Sequence, residues 1–485
     1  MTTEVAPPEV APPEARSRLA STAQRFPRLV PMLVLVVLIG ALDVATARNI
    51  PEVSPIDELN HIDFLFRGSR GELGQVGAVP TQEALRELCV RGSDYYEFPP
   101  CPRSGRVDPG RYFANGVNAS ANPPGYFVAT GVTARALRAV GPGWDSLVTW
   151  GRALGALWLL AGCYLLLRAG ELLGLDRRMT VVAVVLVAVL PAQLHASTTV
   201  NPDAAAFFAG AALLLAVLVW ERGRDRWRLA PVALAAVVAM VLDSSNVVAL
   251  MIALGYVGFR ALLRADGGIG LGRHSVRYAW AALALVVGAS AGFFGWEVAE
   301  DRLDDPAPYV AADFATADGS GSDDAPDPAP APPVDPGYTP VEGIPFSKIL
   351  DGDSIFGMFP PVADIAPPPA RGADVSGTMY RLFAAAMVPF VAAALILSVL
   401  RPSVSDRVRA LGLAVVVALL AAPIVFHLRN VWDTSSLEET VPRLAISALP
   451  AIALVIVSLG TNRAARALIV VLAAGLYLGA VVSLL

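Results

Sequence analysis

An all-α polytopic integral membrane protein is what this sequence predicts, and three observations carry that prediction. Hydrophobic residues make up 55% of the chain against 16% charged, and the mean hydropathy is +0.56, outside the range of soluble globular domains. About eleven apolar runs approach the ~20 residues that a helix needs to cross a bilayer. Arginines between those runs fall on one side of a consistent alternation, as the positive-inside bias requires.

Taken in order, residues 1–28 open on a repeated Val-Ala-Pro-Pro-Glu theme that cannot build a core, so a disordered cytoplasmic tail is expected. A transmembrane domain over 29–485 follows. Its runs lie near 29–47, 146–168, 179–198, 203–221, 229–243, 246–263, 279–298, 380–399, 407–427, 441–459 and 464–484. Arg16, Arg18, Arg25 and Arg28 precede the first run, which puts the N-terminus in the cytoplasm and the C-terminus outside.

The apolar stretch from Asn122 to Val140 would reverse every later loop if it crossed. Reading it as a juxtamembrane or re-entrant helix keeps Arg222 to Arg228, Arg260, Arg407 and Arg409 inside. Two loops are then large and extracytoplasmic: 48–145, carrying juxtamembrane helices, and 299–379, rich in Pro and Asp. The expected location is the plasma membrane, with multiple crossings and the lipid bilayer as a partner.

Net charge is −5 and Lys348 is the only lysine, so there is no nucleic-acid footprint. No Gly-x-x-x-x-Gly-Lys sequence is present, which removes nucleotide-driven chemistry of that kind. Cys163 lies in an apolar run and reads as a buried hydrophobe. Cys89 and Cys101 share the first outer loop, where a disulfide persists, and a bridge is favoured over free thiols.

Chemistry concentrates at Ser54-Pro55-Ile56-Asp57-Glu58-Leu59-Asn60-His61, a few residues past the first run. Two adjacent carboxylates, with an imidazole one helical turn beyond Asp57, suit a base at the water boundary acting on a bilayer-held substrate. Capping of a helix after Pro55 explains the acids equally well when they are taken alone.

Asp203, in Asn201-Pro202-Asp203, falls at the same depth, where capping again competes. His195 is most simply a satisfied interfacial histidine. Arg443 stands at an outer boundary against the inside bias, which suits binding of a phosphate oxygen; snorkelling or pairing with Glu438 or Glu439 is the plain alternative.

The order Pro55-x-Asp57-Glu58-x-x-His61, then Asn122-Pro123-Pro124-Gly125-Tyr126, then Asn201-Pro202-Asp203, resembles a family of bacterial polytopic membrane proteins related to the GT-C glycosyltransferases. Ser354-Ile-Phe-Gly357-Met-Phe359 resembles that family's aromatic-glycine motif, and Pro442-Arg443-Leu-Ala-Ile-Ser-Ala-Leu-Pro450 its late arginine-to-proline motif. The chain departs from the family where Pro-Pro-Leu-Tyr-Tyr becomes Pro-Pro-Gly-Tyr-Phe and where Leu444 replaces an aromatic.

The resemblance implies a GT-C-like fold and transfer of a sugar from a polyprenyl-phosphate donor to a cell-envelope glycan or lipid acceptor, with inversion. It implies Asp57 as catalytic base with Glu58 as fallback, and Arg443 on the carrier phosphate. His61, Tyr126 and Asp203 complete the substrate-binding set. Asp203 could position Asp57, bind acceptor hydroxyls, or share a metal; no cofactor is required, though two carboxylates and His61 suit a divalent ion. A transporter or lipid flippase, and a non-catalytic envelope scaffold, are the competing expectations.

Overall fold

The structure is a computed structural model; its described residues are 29–49, 51–54, 57–93, 98–102, 105–118, 122–141, 145–223, 228–263, 273–303, 306, 309–310, 375–434, 442–482 and 484. The expected tail at 1–28, nearly all of the 299–379 loop, Pro55 and the Ser354–Phe359 motif lie outside them.

Every regular element among the described residues is helical, apart from one isolated antiparallel bridge between Ala78 and Asn118. Helix α1 runs as Leu29–Leu35, a π-helical turn Val36–Gly40, and Ala41–Asn49. The segment after α1 supplies α2 (Glu58–Gly68), α3 (Gln82–Arg91) and α4 (Gly125–Val140). Then come α5 (Leu147–Leu173), α6 (Arg177–Ala188), α7 (Pro191–Thr198), α8 (Asp203–Gly223), α9 (Leu229–Leu242), α10 (Val247–Leu262) and α11 (Arg273–Glu300). The last group is α12 (Val375–Leu400), α13 (Asp406–Thr434), α14 (Leu449–Leu459) and α15 (Arg463–Val482).

Among the described residues seven helices are long and apolar enough to cross a membrane, or eight if α6 and α7 count as one span, against the eleven or so expected. The difference has local causes. Pro191 cannot donate a backbone hydrogen bond, Leu190 is extended, and the α6–α7 axis bends by 72°. Helix α9 has 14 residues, about 21 Å of rise, before Asp243 ends it. The segments Ala385–Leu400 and Arg443–Leu459 are also short.

Glycines set how closely the helices approach. Gly288 and Gly292, one turn apart on α11, face the backbone of Ala233 and Val237 on α9, the small-residue packing that membrane helices favour. Gly174, at φ +73, closes α5 with hydrogen bonds from Gly174 N to Glu171 O and from Leu175 N to Gly170 O.

The loop after α1 is a folded cap. Ile62, Leu65, Leu85, Leu88, Phe113 and Ala134 form an apolar cluster of their own with Leu147 and Val148 of α5. Cys89 and Cys101 are bridged within it. The Tyr309 hydroxyl donates to Asp108 Oδ1 at 2.7 Å, so the segment following α11 reaches the same cap.

Helix α2 lies directly on α4. A Cβ on Gly68 would stand 2.5 Å from the Phe127 carbonyl, and one on Gly131 would stand 2.6 Å from Ser69 N. Both obstacles are backbone, so Gly131→Ala is expected to destabilise the cap by about 1–3 kcal/mol through overpacking. Thermal unfolding of the purified protein measures it; an unchanged midpoint would mean the helices separate freely.

Candidate functional site

Helix α2 begins where the chain leaves α1, and its first residues set the site. Asp57 is the N-cap, held at φ 59 and ψ −12, a left-handed conformation that Asp tolerates better than most residues. Its side chain makes no capping bond. Instead Oδ2 lies 2.7 Å from Arg443 Nη2, with the carboxylate half-exposed and the guanidinium largely covered. Asp57 and Arg443, near opposite ends of the sequence, therefore meet.

Arg443 is carried on a 3₁₀ segment, Pro442–Ala448, that leads into α14. Gly210 of α8 lets that segment come close, since a Cβ there would strike the Ser447 carbonyl. Asp203 opens α8, its backbone N–H received by Asn201 Oδ1 at 2.9 Å. Asp203 is buried and within coulombic reach of Asp243, Arg443 and Asp57. Asp203 thus feels two other carboxylates and the Arg443 guanidinium at a single end of the bundle.

Glu58 points the other way and is fully enclosed. Its Oε1 accepts from Arg152 Nε and Val200 N, both at 2.8 Å, and its Oε2 accepts from Arg152 Nη2 at 2.6 Å and Ser54 N at 2.8 Å. Burial pushes the carboxyl up, but the Arg152 charge and these donors outweigh it and hold it below the ordinary value. Every lone pair is committed, so the fallback base acts as an anchor for the loop.

His61 is buried against the Phe127 ring, 5.4 Å between centroids. Its Nδ1 donates to the Val200 carbonyl at 3.1 Å, which fixes the tautomer and leaves Nε2 to accept from Asn122 Nδ2 at 3.5 Å. Burial lowers its pKa beneath the usual 6.5, with Arg443 adding to the effect and Asp57 opposing it.

A histidine that refuses a proton only in the folded state lowers stability as pH falls below about 6.5, down to its folded value. His61→Gln is expected to remove that component from a melting-temperature scan between pH 7 and 5. An identical slope in the variant would assign the titration elsewhere.

Tyr126 is also fully buried, its hydroxyl near the Asn201 backbone and Thr130 without a formed hydrogen bond, and its ring 5.2 Å from Phe127. His195 Nε2 and Ser54 Oγ are hydrogen-bonded at 2.8 Å, matching the plain reading of that histidine. Asp57 and Arg443 form the reachable layer, while Asp203, Glu58, His61 and Tyr126 are buried behind it.

Among the described residues no group of three or more His, Cys, Asp or Glu is placed to hold a metal ion, so the divalent ion finds no fitting cage there. Sequence reasoning passed over Arg152, whose signal was an arginine inside an apolar run, a position that demands a partner. It also gave Asp243 no role. Comparison with protein-family models, curated protein sequences and solved structures found no match for this chain.

Proposed function

We infer that the protein is a membrane glycosyltransferase of the GT-C kind, moving a sugar from a polyprenyl-phosphate donor to a cell-envelope glycan or lipid acceptor on the outer face of the plasma membrane. The observation that carries this reading is the half-open Asp57–Arg443 ion pair beside Asp203. With the bent pair taken as one crossing and the three shorter apolar helices as further ones, the described residues supply eleven crossings. Sidedness is supported by the Cys89–Cys101 bridge, which belongs in an oxidising compartment. The Glu221, Arg260 and Arg407 cluster, at the opposite end of α8 from Asp203, supports a cytoplasmic face there.

The chemistry needs few parts. Donor phosphate competes with Asp57 for Arg443, and its arrival releases the carboxylate. Asp57 then takes the proton of the acceptor hydroxyl as that oxygen bonds the anomeric carbon and the bond to the carrier phosphate breaks. Arg443 stabilises charge on the departing phosphate. A single displacement inverts the anomeric centre. Asp203 binds acceptor hydroxyls or orients Asp57.

Membranes containing the protein are expected to transfer labelled sugar from polyprenyl-phosphate donors, and Asp57→Asn to slow transfer by about 10²–10⁴-fold. Full activity in a folded Asp57→Asn variant removes Asp57 from the base role. One observation favours a transporter instead: the broken α6–α7 span, a feature of substrate sites in secondary transporters. Counterflow of labelled solute in proteoliposomes, with no covalent product, would establish that reading.

A further inference from the structure

Between the end of α1 and the start of α5 lies a cavity of about 250 Å³ lined by Asp43, Arg48, Arg91, Thr149 and Arg152 among others. Neither Asp57 nor Arg443 lines it. Arg91 is held by Glu87 at 2.7 Å and by Ser146, Thr149 and the Pro51 carbonyl. Arg152 is held by Glu58 and the Glu52 carbonyl. Their acidic partners lie outside the lining, so the walls stay fixed in place. Arg48 is exposed, and no partner for it occurs among the described residues.

Asp43 is 1% exposed. Its Oδ1 accepts from Ser197 Oγ at 3.1 Å, while Oδ2 has no hydrogen-bond partner. Buried acceptors are ordinarily satisfied, and an acid within a membrane span points to a bound group. One cavity is therefore lined both by a guanidinium without a partner among the described residues and by a carboxyl with an unmet acceptor.

We propose that this cavity binds a phosphate ester carrying free hydroxyls, its phosphate on Arg48 and a hydroxyl donating to Asp43 Oδ2. The Arg48 guanidinium disfavours a cation, and the unmet Asp43 acceptor calls for a hydroxyl beside the anionic group. Arg48 and Asp43 are five residues apart on α1, about 7.5 Å of rise, which a phosphate and one glycerol unit cover with their hydrogen bonds. The arginine fork suits phosphate oxygens. The chemistry is shared by a phosphatidylglycerol headgroup and by soluble glycerol phosphate. The proposal does not rest on the transferase reading.

Full-length protein in phosphatidylcholine nanodiscs, titrated with phosphatidylglycerol, phosphatidic acid or soluble glycerol 3-phosphate and read by native mass spectrometry, tests it. Phosphatidylglycerol is expected to be retained about tenfold more tightly than phosphatidylcholine, and Arg48→Gln to abolish that margin. Asp43→Asn puts an amide donor where the free acceptor stood, and is expected to erase the preference for phosphatidylglycerol over phosphatidic acid. Glycerol 3-phosphate displacing the lipid at equal concentration would support the site and assign it a soluble source. Equal retention of phosphatidylglycerol and phosphatidylcholine by the wild type, or an Arg48→Gln variant that binds unchanged, overturns the proposal.

Discussion

Replacing Arg152 by leucine is expected to destabilise the folded protein by about 3–5 kcal/mol, because Glu58 would remain charged, enclosed and without its main partner. The guanidinium donates to both Glu58 oxygens and to the Glu52 carbonyl. Its removal therefore also loosens the segment that delivers Asp57. Thermal unfolding of detergent-purified protein is the measurement. The double variant Arg152→Leu/Glu58→Gln is expected to recover part of the loss, since no unpaired charge is left behind. A single variant that melts like the wild type would show that the pair does not organise the cap.

Acid supplies an independent check on the same pair. Glu58 is depressed below its ordinary 4.5 in the folded state. Its contribution is therefore complete above that value and is lost as pH falls from about 4.5 through the folded value. The double variant is expected to lack this component. His61 acts in a different window, beginning near 6.5, so the two can be separated in one scan.

Arg443→Gln is the second change with a large expected effect. Loss of a donor aimed at developing negative charge typically slows the chemical step by about 10²–10³-fold, and kcat is expected to fall more than KM rises. Arg443→Lys should recover only part of the rate, because an ammonium lacks the planar fork that grips two phosphate oxygens. Combined with Asp57→Asn, the losses are expected to be less than additive, since both residues serve one displacement. A normal rate in Arg443→Gln would sever the arginine from the reaction.

The all-helical architecture, with several helices apolar enough to cross a membrane, was legible from hydropathy alone, and the bias of arginines gave each loop its expected side. Arg443 stood out because it violated that bias, and it does meet an acid, Asp57; Glu438 and Glu439 of the plain reading lie outside the described residues. What composition does not register is geometry within a run. The residues 179–198 read as one crossing, yet Pro191 turns the axis by 72°. Glu58 and Asp57 were indistinguishable as neighbouring carboxylates, because nothing local reveals that Arg152, Val200 and Ser54 converge on only one of them.

That convergence has a consequence for how the loop can evolve. Asp57 is the cap of the helix that Glu58 opens, so seating Glu58 among its four donors dictates the heading of the residue before it. The anchored acid works as a set-screw for its neighbour. Losing or gaining one residue ahead of α2 would leave the ring of donors gripping the wrong carboxylate and turn the reactive one inward, so length at this junction is constrained more tightly than residue type.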